Sequence, residues 1–387
     1  MGQVREFAEA SMAIPARDSK HVCPHHLSAT ASFARRLSAA AIIAAFLVAG
    51  ITVQAQDTPK SALLVISKRE HALAIVDPSN LKVIAKVPVG DDPHEVTASS
   101  DGHTAYVSNY GSGAFHSLAV IDLVHHQALT AIDLGALTGP HGLTFVDGKV
   151  WFTAEGAKVM GRYDPAADKV DLVVGTGQNR THMISVTPGG DHIITTNVSS
   201  GTVSLIDKES VRIPGPPPGM TPPPGAPRPP QSGPGARTDW NQTVVRVGNG
   251  SEGFDLSPDG REVWVANAQD GTISIIDRQS KSVVQTLQVN VAGANRLKFT
   301  PDGRRVLVST LSGSDLTILD AHTRKVEKRI PIGHGAAGIV MQPDGKRAFV
   351  ACSPDNYVAV IDLNQLTMTG KFAVGDEPDG MTWAARP

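Results

Sequence analysis

An all-β fold built from seven copies of one four-stranded unit is predicted by three features of this sequence. A strand pattern that ends in aspartate recurs along the chain, and the seven aspartates are Asp77, Asp122, Asp164, Asp207, Asp277, Asp320 and Asp362. Runs of β-branched and apolar residues alternate with Asp-Gly turns between these positions, a pattern typical of antiparallel meanders. No window of comparable length has the periodicity of a helix.

The spacing of the aspartates defines the repeat. Successive intervals are 45, 42, 43, 70, 43 and 42 residues, and the long interval contains the tract PGPPPGMTPPPGAPRPPQSGPG. Proline and glycine at this density favour a solvated, extended segment over a sheet, so residues 213–237 are interpreted as a loop insertion. The remaining period is nearly constant. Four-stranded units of roughly 40–45 residues are typical of propeller blades, so the sequence predicts a seven-bladed β-propeller.

Residues 253–289 illustrate the strands of one repeat. The segment GFDLS leads through a PDG turn into REVWVAN, followed after AQDG by TISIID and after RQSK by SVVQTLQV. These four runs predict four antiparallel strands joined by short turns. The aspartate at the end of the third run can accept a hydrogen bond from the backbone two residues later and so close the next turn.

The two ends of the repeat array predict how the ring closes. The array opens on SALLVISK at residue 61, which matches the second strand of a blade, and finishes on PDGMTWA at residue 378, which matches a first strand. We therefore expect the C-terminal strand to pair with the N-terminal blade segment. This pairing removes two exposed sheet edges.

The first 55 residues have the pattern of an export leader. Arg35 and Arg36 precede an apolar stretch over residues 39–53, which ends in Val-Gln-Ala at residues 53–55. This pattern predicts a signal peptide cleaved after Ala55, a propeller over residues 56–387, and a periplasmic or secreted protein. The apolar stretch is shorter than the about 20 residues needed to span a bilayer, and no transmembrane segment is expected in the mature chain.

Charge and cysteine content exclude several classes of function. The formal charge is −2 for the whole chain; the leader contains five basic and three acidic residues, so the mature chain is about −4. This gives no basic footprint for nucleic acid. Cys352 is the only cysteine after the leader, so no internal disulfide forms, and we expect a buried thiol in a monomer. Phosphate-loop, nucleophile-elbow and haem-attachment motifs are absent from the sequence.

Aligning the repeats on their first strand brings a set of polar residues to one level of the central channel. The residues in register are His94, His141, His182, Glu252, Asn295, Ala337 and Asp379. Loops between second and third strands open onto the same face; they and the neighbouring connections add Arg69, His71, Asn109, Tyr110, His116, Glu155, Arg180, Asn197 and Asn267. The pair His125-His126 lies between a third and a fourth strand and is expected in solvent on the opposite face.

This set of residues suggests two kinds of chemistry. Three imidazoles and a carboxylate can bind a divalent metal ion at about 2.0–2.2 Å, so the predicted metal ligands are His94, His141, His182 and Glu252. The same groups can transfer protons, which makes His141, His182 and Glu252 the catalytic candidates. The predicted ligand-binding set consists of His94, His141, His182, Glu252, Asn295, Asp379, Glu155, Asn197 and Asn267. A water-filled channel that merely requires polar residues is the alternative.

Two family resemblances bear on these predictions. The pattern PDGREVWVAN…GTISIID…VG resembles the YVTN (YncE-like) family of bacterial β-propeller repeat proteins. This resemblance implies the fold and leaves the function open, because the family contains binding, surface and uncharacterised proteins. Residues 139–165, GPHGLTFVDGKVWFTAEGAKVMGRYDP, are similar to virginiamycin B lyase and gluconolactonase propellers, which implies an enzyme with a divalent metal near the axis.

Three functions therefore remain open from the sequence. The first is an exported propeller that recognises a small-molecule, peptide or protein ligand through the histidine-rich rim of its channel. The second is a lyase or lactonase-like hydrolase that depends on a divalent metal at that rim. The third is a purely structural role. The first is favoured because the longer resemblance is to a family without a common activity.

Overall fold

The computed structural model describes residues 58–212 and 236–386. The predicted leader over residues 1–55 lies outside this range, as does most of the proline-rich tract. The described residues form strands β1 to β29 with two 3₁₀ turns, at Gly111–Gly113 and Ser353–Asp355. No helix among them has the length and apolar character that crossing a membrane requires.

The strands form seven sheets, numbered here as blades 1 to 7 in chain order. Blade 1 begins with β1 (Ser61–Ser67), β2 (Ala72–Asp77) and β3 (Lys82–Pro88). Blade 2 contains β4 (Pro93–Ala98), β5 (Thr104–Asn109), β6 (Ser117–Asp122), β7 (Gln127–Ala128) and β8 (Ile132–Asp133). Blade 3 contains β9 (Pro140–Val146), β10 (Lys149–Ala154), β11 (Val159–Asp164) and β12 (Lys169–Gly175). Blade 4 contains β13 (Thr181–Val186), β14 (His192–Asn197), β15 (Thr202–Arg212) and β16 (Ala236–Arg246).

The remaining blades repeat this arrangement. Blade 5 contains β17 (Ser251–Leu256), β18 (Glu262–Asn267), β19 (Thr272–Asp277) and β20 (Ser282–Gln288). Blade 6 contains β21 (Ala294–Phe299), β22 (Arg305–Thr310), β23 (Asp315–Asp320) and β24 (Lys325–Pro331). Blade 7 contains β25 (Ala336–Met341), β26 (Arg347–Cys352), β27 (Tyr357–Asp362) and β28 (Thr367–Phe372). Strand β29 (Pro378–Ala385) completes blade 1.

The seven-bladed propeller predicted from the repeat is confirmed. Every blade is an antiparallel sheet; in blades 2 to 7 the first strand in the sequence is innermost, and in blade 1 the innermost strand is β29. In blade 2 the outer strand is divided into β7 and β8, which both pair with β6. The predicted closure is also confirmed, because β29 pairs with β1 through partners such as Leu63 with Trp383 and Val65 with Met381. The ring therefore closes through hydrogen bonds between strands from distant parts of the sequence.

The hydrophobic core consists of clusters that lie between adjacent blades. One cluster joins Ile66 and Ile75 of blade 1 to Val107 and Ile121 of blade 2. Strand β1 is buried on both faces from its second to its last residue, which explains its continuous apolar sequence. Burial of apolar surface contributes about 25 cal/mol of stabilising free energy per Å². Since neighbouring blades share each cluster, this contribution stabilises the ring as one unit.

The buried thiol predicted for Cys352 is confirmed. Its side chain is fully buried in the core between blades 6 and 7, and burial raises the pKa of the thiol to about 12. The tryptophans Trp151 and Trp264 are fully buried as well. The predicted turn chemistry is also present, since Asp77 Oδ1 accepts a 2.8 Å hydrogen bond from the Ser79 amide.

Two sequence-based boundaries need correction. The predicted loop over residues 213–237 includes Ala236 and Arg237, whose backbones belong to β16, and β15 continues five residues past Asp207 to Arg212. Each of these strands extends because the other continues to offer backbone hydrogen-bond partners.

The prediction that His126 is solvated also needs correction. His126 is half-buried, and its Nε2 lies 2.5 Å from Thr58 Oγ1.

Candidate ligand site at the channel mouth

Every inner strand presents its second residue to one end of the central channel. These second residues are His94, His141, His182, Glu252, Asn295, Ala337 and Asp379, the seven positions aligned from the sequence. All seven line a cavity of about 250 Å³, here called the mouth cavity. The pairing register shifts just after the first residue of inner strands such as β4, between Pro93 and Val96. Irregularities of this kind redirect a side chain out of the regular ladder.

Side-chain hydroxyls on the second strands hold these residues in place. Thr153 Oγ1 accepts a 2.9 Å hydrogen bond from the Gly142 amide of its own blade and donates a 2.6 Å bond to the His182 carbonyl of the next blade. The same device recurs in three further blades, and the four residues, here called the latch hydroxyls, are Ser108, Thr153, Thr196 and Ser309. The carbonyls that they fix belong to His141, His182, Glu252 and Ala337.

Close contact between neighbouring inner strands requires glycine at the residue after some of these positions. A Cβ atom on Gly142 would lie 2.5 Å from the His182 carbonyl oxygen. No side chain fits there without displacing β13. The side chains of His141 and His182 are consequently in close contact, with ring centroids 3.7 Å apart and an interplanar angle of 35°.

A row of aromatic rings extends from this pair of histidines. The His94 ring lies 4.9 Å from the His141 ring, centroid to centroid. The Tyr110 ring contacts both, at 4.8 Å from His94 and 5.3 Å from His141. The three histidines that the sequence analysis aligned are therefore in direct contact.

His182 lies between two carboxylates. Its Nδ1 is hydrogen-bonded to Glu155 Oε1, and its Nε2 lies 2.8 Å from Glu252 Oε2 at an angle that misses a regular hydrogen bond. Burial disfavours the charged ring, but Glu252 and Glu155 outweigh it and raise the pKa of His182. The partners respond in the expected direction: burial opposes ionisation of Glu252, yet His182 and Arg180 lower its pKa to about 2.

Glu155 comes from the loop after β10 and connects several groups of the mouth. Its Oε2 accepts a 2.6 Å hydrogen bond from the Tyr110 hydroxyl and lies 3.6 Å from Arg180 Nε. Burial and the Glu155 carboxylate raise the pKa of Tyr110 to about 12. The tyrosine therefore acts as a hydrogen-bond donor that holds the carboxylate.

His141 has an enclosed ring nitrogen without a partner. The residue is 2% exposed, and its Nδ1 makes no hydrogen bond. Burial, followed by the charges of His182 and His94, lowers the pKa of His141 well below its ordinary value, so the ring is neutral. His141, Glu155 and His182 offer ligand atoms within 4.8 Å of one another. An unpartnered imidazole nitrogen beside a second imidazole and a carboxylate fits a metal ion.

A second cluster of charged side chains surrounds His94. The Nε2 atom of His94 lies 3.0 Å from Lys68 Nζ and 3.1 Å from Asp92 Oδ1. Burial and the Lys68 charge lower the pKa of His94 to about 4, against the opposing effect of Asp92. Burial raises the pKa of Asp379 to about 6, although Lys68 lies 3.5 Å away. This side of the mouth is a compact network of paired charges.

A buried ion pair lies directly behind the mouth cavity. Arg296 of blade 6 donates to Glu95 of blade 2, and it also donates a 3.1 Å hydrogen bond to Asn295 Oδ1. Arg296 and Glu95 are 6% and 9% exposed. The sequence analysis missed this pair. A signal was visible, because Glu95 and Arg296 directly follow the aligned residues His94 and Asn295, at a position where four other blades have glycine.

Two predicted ligand-binding residues have a structural role. Asn197 Nδ2 donates to Thr202 Oγ1 and Ser204 Oγ at 3.1 and 3.0 Å, and Asn267 makes the corresponding bonds in blade 5. Both asparagines are completely buried and do not line the mouth cavity. Their amides donate to the hydroxyls of the neighbouring hairpin strand.

Comparison with known proteins bears on the family and the fold. Residues 235–347 match the family model of the YNCE-like β-propellers. The resemblance to YncE-like propellers is confirmed. The matched segment runs from the outer strand of blade 4 into blade 7, so it covers less than a third of the chain. No curated protein matches the sequence.

Several solved structures share the fold of this propeller. A functionally unknown protein from Desulfotomaculum acetoxidans has 14% identity and a TM-score of 0.65, over 84% of this chain and 99% of its own. Hydrazine synthase from Kuenenia stuttgartiensis has 17% identity and a TM-score of 0.59, over 78% and 92%. A protein from Bacteroides uniformis named as a candidate 6-phosphogluconolactonase has 16% identity and a TM-score of 0.61, over 84% and 99%. At these identities the likeness shows the fold alone.

Proposed function

We propose that the protein is a ligand-binding propeller whose site is the channel mouth, with a divalent transition-metal ion held by His141, Glu155 and His182. The observation that carries this proposal is the enclosed, unpartnered Nδ1 of His141 beside the other two groups. A buried polar atom without a hydrogen bond is destabilising by about 1–3 kcal/mol. A bound ion removes that penalty.

The ligand types indicate which metal is suitable. Two imidazoles and one carboxylate suit zinc, iron and related ions, whereas calcium and magnesium prefer oxygen ligands. Three protein ligands also leave a position for water or a small ligand, and His141 and His182 line the mouth cavity. In this assignment Glu252, predicted from the sequence as a ligand, contacts the other nitrogen of His182 and orients its ring.

Metal titration of the full chain tests this assignment. We expect Zn²⁺ to bind in calorimetry and Co²⁺ to give visible absorption bands. Loss of a group that orients a metal ligand lowers metal affinity about 10–100-fold. We therefore expect the Zn²⁺ affinity of Glu252→Gln to be lower by a factor in this range. His141→Ala and Glu155→Gln each remove a direct ligand and are expected to have a larger effect.

Two control variants distinguish the assignment from its alternatives. His94→Ala removes a ring that contacts His141 but is outside the proposed ligand set, and His334→Ala removes an exposed histidine. Both are expected to retain wild-type affinity. If His94→Ala weakens Zn²⁺ binding as much as Glu155→Gln does, the ligand set predicted from the sequence is the better one. Failure of the wild-type chain to bind either ion rejects the metal.

A metal-assisted lyase or lactonase-like hydrolase is the second candidate function. It is favoured by the same three ligand residues, because a metal with an open position acts as a Lewis acid, and by the cavity beside them. Within that cavity, Arg180 and Lys68 can orient a substrate, and Glu252 holds His182. Hydrolysis of glucono-δ-lactone by the Zn²⁺-loaded chain, lost in Glu155→Gln, would move the protein into this class; absence of turnover with retained Zn²⁺ binding leaves the binding function.

The proposal includes export to the periplasm or the exterior. Its support is the Arg-flanked apolar run that ends in Val-Gln-Ala at residues 53–55. Mass spectrometry of the extracytoplasmic fraction is expected to find a chain that begins near Gln56. An uncleaved chain confined to the cytoplasm contradicts it.

A further inference from the structure

One backbone position at the mouth has a left-handed conformation in all seven blades. It lies two residues before the inner-strand residue that lines the cavity, and φ there is between 47° and 72°. Four blades have glycine at this position, namely Gly139, Gly250, Gly293 and Gly335, and three have a charged residue, namely Asp92, Arg180 and Glu377. Glycine adopts positive φ without penalty, whereas other residues are strained there.

Two of the three charged residues have protein partners that account for them. Asp92 Oδ2 accepts a 3.1 Å hydrogen bond from the Ser112 amide, and its Oδ1 contacts His94. The Glu377 carboxylate accepts a hydrogen bond from Arg69 across the blade 1 loop. In both cases the strained residue joins neighbouring loops.

Arg180 is held less closely, by two ion pairs. Its Nε lies 3.6 Å from Glu155 Oε2 and its Nη1 lies 3.5 Å from Glu252 Oε1, but it donates no regular hydrogen bond to either carboxylate, both of which also contact His182. The side chain is 41% exposed and lines the mouth cavity. Part of its planar group of N–H donors therefore faces the cavity. Backbone strain at a residue whose side chain reaches a cavity points to a functional role there.

We propose that Arg180 binds an oxyanion group, carboxylate or phosphate, of the ligand that occupies the mouth cavity. This inference rests on the proposed use of the mouth as a ligand site. The guanidinium presents paired donors that match the geometry of both anions. Lys68 and Asn295 line the same cavity and add a positive charge and an amide.

Anion titration with matched variants tests the proposal. Inorganic phosphate and malonate are titrated separately into the full chain and followed by calorimetry. Arg180→Gly removes the guanidinium and places glycine at a position where four other blades already have it, so folding is retained. The control is Arg324→Gly, which makes the same change at another left-handed arginine, φ 59°, in a strand-three to strand-four turn on the opposite face.

The expected result is binding of at least one anion by the wild type, a loss of about tenfold or more in affinity (1.4 kcal/mol or more) in Arg180→Gly, and no change in Arg324→Gly. Binding of phosphate alone, of malonate alone or of both supports the proposal and identifies the group. Wild-type affinity in Arg180→Gly, or no anion binding by the wild type, overturns it. A parallel Zn²⁺ titration separates the two proposals: Arg180-dependent anion binding without Zn²⁺ rejects only the metal, and Zn²⁺ binding without anion binding rejects only this inference.

Discussion

The channel mouth has two unlike arcs built on the same backbone. Blades 2 to 5 place His94, His141, His182 and Glu252 at the second residue of the inner strand, whereas blades 6 and 7 place Asn295 and Ala337 there. Both arcs share the register shift after the first inner-strand residue, and both contain a latch hydroxyl, such as Thr153 in blade 3 and Ser309 in blade 6. The comparison shows that the repeated backbone determines where these side chains lie, and that the residue type at each position determines the chemistry of the arc.

The largest difference between the arcs is expected from truncating equivalent residues. His182→Ala leaves the Glu155 and Glu252 carboxylates without their shared cation, and removing one partner of a buried ion pair lowers the free energy of unfolding by about 3–5 kcal/mol. Asn295→Ala removes one hydrogen bond from Arg296. This loss is expected to lower the free energy of unfolding by about 1 kcal/mol. Urea denaturation of the metal-free chain measures both. Equal losses would show that the two arcs are energetically alike.

An intermediate effect is expected from the latch hydroxyls. Thr153→Val and Ser309→Ala each leave a buried amide and a buried carbonyl unpaired, so each is expected to lower the free energy of unfolding by about 1–3 kcal/mol. Of these two hydroxyls, only that of Thr153 fixes the backbone of a proposed metal ligand, His182. Zn²⁺ affinity should therefore fall in Thr153→Val and stay unchanged in Ser309→Ala. A larger fall of Zn²⁺ affinity in Ser309→Ala, or an equal fall in both variants, would show that the Thr153 hydroxyl does not position the metal ligand.

The smallest effect is expected on the face opposite the mouth. Residues 213–235 connect β15 to β16, and replacing them with a short Gly-Ser turn changes the closure entropy by roughly 0.6 kcal/mol for each halving of loop length. Thermal unfolding and Zn²⁺ binding are expected to remain close to wild type. A shortened chain that fails to fold would show that the segment stabilises the propeller.

Sequence alone predicted the ring, its closure and the seven aligned positions, because strand periodicity and a constant repeat determine which residues share a level. It did not predict that Glu155 would join His141 and His182. That contact depends on the angle between blades 3 and 4 and on the direction of a loop side chain, and neither leaves a periodic signal. The latch hydroxyls were visible only as Ser or Thr recurring just before the end of a second strand, in VSN, FTA, TTN and VST.

The contacts that the sequence did not reveal have similar physical origins. Asn197 and Asn267 were included in the predicted ligand-binding set because the connections between second and third strands open onto the face of the channel mouth. In the structure their amides turn back onto hydroxyls of the next strand. The Arg296–Glu95 pair joins residues 201 positions apart across the channel, and no local pattern relates them.

The pairing of β29 with β1 also has a consequence during synthesis. About 290 residues separate the end of β3 at Pro88 from the start of β29 at Pro378. At translation rates of about 5–20 residues per second, β1 waits roughly 15–60 s for its partner. Throughout that interval Ser61–Ser67, a strand of sequence SALLVIS, presents an unpaired apolar edge that can add strands from other chains. The stage of highest aggregation risk is therefore the nearly complete nascent chain, before its final strand has been made.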